Sequence, residues 1–203
     1  YEMYNYESIR IWNTEFHKEI GFLKGLDTCD VCLVICENIL YYGCDGCIIR
    51  SWDMETCREI AVYGITSYSN FEERPSHTSS ISSIALHGNK LYSASSGDKT
   101  IRIWNTETHT QIGILKDVGR VKCIAVNKTK LYSASLDYKI IRIWNTETYE
   151  EMQSLEGHTG SVTCITLDEN KLYSGSSNGT IGIWNTETYE EISILRGHTR
   201  LVQ

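Results

Sequence analysis

Proline is almost absent, one in 203 residues, and phenylalanine and methionine number three each. That composition excludes collagen-like, mucin-like and proline-rich disordered classes. No stretch approaches the roughly eighteen consecutive apolar residues that a membrane-spanning helix requires. Like charges never run longer than a pair, and the net charge is −7. The chain therefore lacks the basic footprint of a protein that wraps nucleic acid or lies on an anionic membrane. The first residues, Tyr1-Glu2-Met3-Tyr4-Asn5, have neither the basic nor the apolar region of a secretory signal. Without such a signal, the eight cysteines read as reduced intracellular thiols, and the expected location is cytoplasmic, or nuclear. In that setting the sequons at Asn127 and Asn178 are silent.

What the chain does have is self-similarity. Tryptophans fall at 12, 52, 104, 144 and 184, at intervals of 40, 52, 40 and 40. Around them the text recurs: Ile9-Arg10-Ile11-Trp12-Asn13, Ile49-Arg50-Ser51-Trp52-Asp53, Ile101-Arg102-Ile103-Trp104-Asn105, Ile141-Arg142-Ile143-Trp144-Asn145 and Ile181-Gly182-Ile183-Trp184-Asn185. A period near 40 marks a repeat architecture.

Within one copy, Val162 to Leu167, Leu172 to Ser176, Thr180 to Trp184 and Ile192 to Leu195 are short runs rich in β-branched and aromatic residues. Turn-forming Asp, Asn, Gly and Ser separate them. Each copy thus reads as a four-stranded antiparallel meander, strands a to d, with helices nearly absent. Such a sheet has apolar residues on both faces and must stack on its neighbours, and radial stacking gives an all-β propeller.

The Trp-Asn or Trp-Asp pair closing strand c and the Gly-His pair before strand a, Gly157-His158 and Gly197-His198, make the chain resemble the WD-repeat β-propeller family over essentially its whole length. In that family a histidine, an Asp of the b to c turn, a strand-b Ser or Thr and the tryptophan form a hydrogen-bonded set. The resemblance implies such sets from His77, Asp98, Ser93 or Ser95 and Trp104, and from His158, Asn178 in place of Asp, Ser174 or Ser176 and Trp184. The other copies lack the histidine, which implies less rigid second and fourth blades.

The boundaries expected are strands c and d of a first blade in 1–24, a second blade in 25–63, an inserted loop in 64–75, and blades in 76–115, 116–155 and 156–195. Residues 196–203 begin another. Four complete copies and two partial ones fall short of the roughly 280 residues of a seven-bladed ring. The expectation is an excerpt, an open arc of a larger propeller, with edges prone to association.

Signs of chemistry are few. Gly175-Ser176-Ser177-Asn178-Gly179 matches a hydrolase nucleophile motif, but between two strands instead of at a strand-to-helix elbow. Cys29, Cys32, Cys44 and Cys47 form two C-x2-C pairs, a zinc-like spacing. Register speaks against it: Cys32, Cys123 and Cys164 share one strand-a slot with Ser83, a place for a small, semi-apolar residue. No metal, cofactor or catalytic residue is expected, and the chain is not expected to be an enzyme.

In a meander the d to a and b to c connections share one rim. The insertion lies there, since Trp52 to His77 spans 25 residues against 14 from Trp144 to His158. Its Tyr68, Phe71, Glu72 and Arg74 are residue types suited to an interface. The same rim carries Asp45, Lys99, Arg120, Tyr138 and Asn178, which differ between otherwise similar copies. These nine are the candidate partner-binding residues. The opposite rim repeats Asn-Thr-Glu-Thr at 105, 145 and 185, which suits turn formation. The expected function is a non-catalytic protein-interaction scaffold for protein or peptide partners. The Lys-Leu-Tyr-Ser text at 90, 130 and 171 is similar to propellers appended to ubiquitin ligases and alpha-kinases, which implies substrate recruitment within a larger protein. The alternative is a modified-peptide or nucleic-acid reader. Neither a membrane nor a small-molecule substrate is expected.

Overall fold

The structure, a computed structural model, describes residues 9–23, 32–43, 47–64 and 76–202. All regular structure in them is β. A two-stranded sheet pairs β1 (Ile9–Asn13) with β2 (Lys18–Leu23). Four meanders follow: β3 (Cys32–Cys36), β4 (Ile39–Gly43), β5 (Ile49–Asp53) and β6 (Arg58–Tyr63); β7 (Ile81–His87), β8 (Lys90–Ser95), β9 (Thr100–Asn105) and β10 (Gln111–Leu115); β11 (Val121–Val126), β12 (Lys130–Ser135), β13 (Ile141–Asn145) and β14 (Glu151–Leu155); β15 (Val162–Asp168), β16 (Lys171–Ser176), β17 (Ile181–Asn185) and β18 (Glu191–Leu195). These are blades 2 to 5. Strands a lie side by side in chain order, β3 against β7, β7 against β11 and β11 against β15. The blades thus form an open propeller arc.

The core sits between the blades. Tyr41 and Ile49 of blade 2 meet Ile81, Ile84, Leu91 and Trp104 of blade 3, and Tyr92, Ala94 and Ile103 of blade 3 meet Val118, Val121, Leu131 and Trp144 of blade 4. Tyr132, Ile141 and Ile143 of blade 4 pack on Val162, Leu172 and Trp184. Blades 3 and 4, flanked on both sides, bury both faces against their neighbours, which is why their sequences show near-continuous apolar runs. On β1, β2 and the turn between them, Trp12, Phe16, Ile20 and Phe22 are exposed.

The repeated text has a repeated geometry. In every c to d turn the side-chain oxygen after tryptophan accepts two backbone N–H groups: those of Glu15 and Phe16 at Asn13, Glu55 and Thr56 at Asp53, Glu107 and Thr108 at Asn105, Glu147 and Thr148 at Asn145, and Glu187 and Thr188 at Asn185. Asn and Asp both offer that acceptor, so four copies dispense with the aspartate. Two residues past the glutamate of each turn the chain turns left-handed, at His17, Cys57, His109, Tyr149 and Tyr189.

The cysteine slot is a tie between blades. Cys32 Sγ donates to the Ile81 carbonyl at 3.9 Å and Cys164 Sγ to the Val202 carbonyl at 3.8 Å. Ser83 Oγ accepts the Ile124 N–H at 3.1 Å. Burial pushes the Cys123 thiol up to about 12. Cys123→Ser, which mimics Ser83, should lower stability by no more than about 1 kcal/mol, while Cys123→Ala should lose more. The wild-type thiol should resist alkylation at pH 8 until the fold is opened with denaturant.

Candidate functional site

The two rims are built differently. On the c to d side each turn is fastened to the a to b turn of its own blade: Met54 N–H to the Asn38 carbonyl, Thr106 to Asn89, Thr146 to Thr129 and Thr186 to Asn170. Lysines then clamp one blade to the next. Lys90 Nζ reaches the Thr146 carbonyl at 3.0 Å and Glu147 Oε1 at 2.8 Å. Lys130 Nζ reaches the Thr186 carbonyl at 2.6 Å and lies 4.5 Å from the centre of the Tyr189 ring. The repeated text of this rim is spent on holding blades together.

The opposite rim joins successive blades through backbone carbonyls and leaves its longer side chains outward. Val118 N–H donates to the Lys99 carbonyl at 3.2 Å, and Ser161 Oγ donates to the Leu136 carbonyl at 3.1 Å. Lys99 is exposed and left-handed, with φ 58°. Arg120 is exposed; its N–H donates to Asp137 Oδ2 at 2.8 Å and its guanidinium lies 3.9 Å from Asp137 Oδ1. Tyr138 is 43% exposed and lies over the guanidinium of Arg142, 5.0 Å from the ring centre. Beneath that ring is Gly119 at φ 78°, where a Cβ would stand 2.7 Å from Tyr138. Only glycine fits that close, left-handed position. Lys99, Arg120 and Tyr138 therefore belong to one stretch at the junction of blades 3 and 4. Asn178 lies apart, in the turn of blade 5.

Asp45, Tyr68, Phe71, Glu72 and Arg74, with nearly all of the inserted loop, lie outside the described residues. Sequence reading missed Asp137, Gly119 and Arg142, which hold the rim stretch in shape. The glycine between Val118 and Arg120 was the available signal, since it breaks the copy-to-copy text where a ring must approach the backbone.

Buried polar sets underlie this rim. In blade 3, His77 Nδ1 donates to Asp98 Oδ2 at 2.8 Å, His77 Nε2 meets Ser93 Oγ at 2.8 Å and Trp104 Nε1 donates to the same Oγ at 2.9 Å. Ser95 instead donates to the Ser79 carbonyl. Asp98 also receives Thr78 N–H, Thr100 N–H and Thr100 Oγ1. Burial would raise the Asp98 carboxyl, but His77, Thr100 and Thr78 outweigh it and hold it down to about 2. In blade 5, His158 Nε2 meets Ser174 Oγ at 2.6 Å and Trp184 Nε1 donates to that Oγ at 2.8 Å. Asn178 does not take the place of Asp98 against the ring: its Oδ1 accepts Thr180 N–H and Oγ1, and its Nδ2 donates to Thr159 Oγ1.

The two blades without histidine differ from each other. In blade 4 Val118 is buried in the core, and Trp144 Nε1 still donates to Ser133 at 2.8 Å. In blade 2 the serine slot holds Tyr42, and Trp52 Nε1 is buried without a hydrogen-bond partner.

Gly175 and Ser176 close β16 and β17 opens at Ile181, so the G-x-S-x-G text is a strand-to-strand turn. The described residues contain no group of three or more His, Cys, Asp or Glu able to hold a metal ion; Cys29 and Cys44 lie outside them. No helix among them is long and apolar enough to cross a membrane.

Four-stranded meanders stacked face to face in chain order, with strands a side by side, define blades of a β-propeller. Residues 69–105 and 149–185 match the WD40 family, described as "WD domain, G-beta repeat", so the chain carries WD repeats at those two places. Among solved structures it is similar to one titled "Structure of U3-55K", with TM-score 0.76 and 22% identity over 89% of this chain. It spans 55% of that chain's length. No curated protein matches. WD-repeat propellers generally mediate protein–protein interaction and are typically non-catalytic.

Proposed function

We propose that this chain is a non-catalytic interaction scaffold that recruits a protein or peptide through the rim of its d to a and b to c connections, as the substrate-recruiting part of a larger assembly. The observation that carries this reading is the asymmetry of the rims. The c to d rim spends its repeated residues on turns and lysine clamps, whereas Lys99, Arg120 and Tyr138 stand outward on a backbone-fixed rim and differ from their counterparts in other blades. Exposed aromatic and arginine side chains on rigidly held turns supply contact area at low ordering cost.

The test is affinity capture with the full chain, comparing wild type, a Lys99→Ala/Arg120→Ala/Tyr138→Ala variant and a Glu107→Gln/Glu187→Gln control on the other rim. Captured partners should fall at least about tenfold with the rim variant, the loss expected when an interface anchor of about 1.4 kcal/mol or more is removed. Unchanged capture by the rim variant, or equal loss in the control, would exclude this surface. Capture carried by RNA would show a steep salt dependence and favour a nucleic-acid reader.

A further inference from the structure

The same histidine is wired in two ways in one molecule. In both blades the ring proton is placed by a threonine: the Thr100 and Thr180 hydroxyls donate to Asp98 Oδ1 and Asn178 Oδ1, so each can only accept from the histidine Nδ1 beside it. In blade 5 the ring proton therefore sits on Nδ1, facing Thr180 Oγ1 at 3.4 Å, and Nε2 accepts from the Ser174 hydroxyl, whose oxygen in turn accepts Trp184 Nε1–H. In blade 3 the equivalent Nδ1 faces the carboxylate of Asp98 at 2.8 Å. A second ring proton on His77 has a buried counter-charge in contact; on His158 it has none. Asn178 Oδ1 is already engaged by Thr180 N–H and Oγ1.

The charged group that faces His158 is Glu191 of β18, on the far side of Gly157, where a Cβ would lie 2.7 Å from its Oε2. Blade 5 has Gly182 where the other blades place Arg50, Arg102 and Arg142, so Glu191 has no arginine opposite it. It is exposed, screened by water, and makes no hydrogen bond to the ring. Burial accordingly holds the His158 imidazole below its usual range, with Glu191 pulling the other way. A depressed histidine stabilises the fold fully above its ordinary value of 6.5 and loses that stabilisation as the pH falls below it.

We propose that blade 5 carries an acid-operated latch: protonation of His158 releases the connection 156–161 from β16 and β17, because Asn178 stands where blade 3 keeps Asp98. Mild acid then loosens the rim at blade 5 while blade 3 stays fastened. The consequence reaches the neighbouring turns. Ser161, at the end of the released connection, ties to the Leu136 carbonyl of blade 4 and receives Ser177 N–H and Ser176 Oγ through its own carbonyl.

Hydrogen exchange of the full chain at pH 7.5 and 5.5, corrected for intrinsic rates, tests this. Protection over 156–161 should fall at pH 5.5 by up to about tenfold, the ceiling set by an opened imidazole of ordinary pKa at one pH unit below that pKa. Protection over 76–80 in blade 3 should hold. Asn178→Asp should flatten the response of blade 5, and the reciprocal Asp98→Asn should install it in blade 3. Equal responses of the two blades in the wild type, or a response in blade 5 that Asn178→Asp leaves intact, would overturn the latch. An NMR titration of His158 in the unmodified chain decides independently of both variants: an imidazole that titrates at or above 6.5 also overturns it.

Discussion

Trp104→Ala is expected to cost about 3–5 kcal/mol, the range for deleting a large aromatic from a core. Trp104 is 2% exposed, donates to Ser93 Oγ, and meets Tyr63 of the preceding blade edge-on, 6.1 Å between ring centres. Its removal leaves a cavity between two blades. It also frees Ser93 Oγ from its indole donor, beside a buried histidine. Trp12 occupies the same place in the repeat text but is 55% exposed, so Trp12→Ala should change stability by no more than about 0.5 kcal/mol. Urea denaturation of both variants separates burial from sequence identity. Equal effects would refute the assignment of the core to the interfaces between blades.

The second large effect belongs to Asp98. Its carboxyl is held down to about 2 against an ordinary 3.8, and its side chain is only 6% exposed. A depressed carboxylate stabilises the fold above its unfolded value and loses that contribution as the pH falls through the folded one. The shift corresponds to about 2 kcal/mol, fully present above about pH 4 and lost between about 4 and 2. Asp98→Ala should therefore destabilise by at least that amount at pH 7, since it also strands Thr78 N–H and Thr100 N–H. Near pH 2 the gap between variant and wild type should narrow by about the same 2 kcal/mol. Denaturant titrations at the two pH values give the comparison, and a gap independent of pH would show that the carboxylate charge is not what matters.

The period of 40 and the alternation of β-branched runs with Asn, Asp and Gly turns were enough to read blades, their meander order and which connections share a rim. These features are local: a strand or turn is specified within a few residues, and a copied sequence folds into a copied structure. Asn145 serves as well as Asp53 because both offer one side-chain oxygen to the same two N–H groups. What lay between blades was not legible. The cysteine slot looked like a preference for a small residue, yet it is a site where sulfur or oxygen meets the next strand a. Nothing in the text of residues 90 and 130 announces that their ammonium groups close on turns 56 residues away.

Sequence by itself determined that this protein is a stack of four-stranded blades whose c to d turns are nearly interchangeable, because each turn is solved by its own five residues. Only the tertiary structure decided which copies of the same motif are equivalent. It placed Asp98 against His77 and Asn178 against threonines, buried Val118 where histidine stands elsewhere, and gathered Lys99, Arg120 and Tyr138 at one junction. The physical reason is range. A turn is fixed by bonds to near neighbours, whereas counter-charge, burial and a shared surface depend on groups that distant parts of the chain bring together.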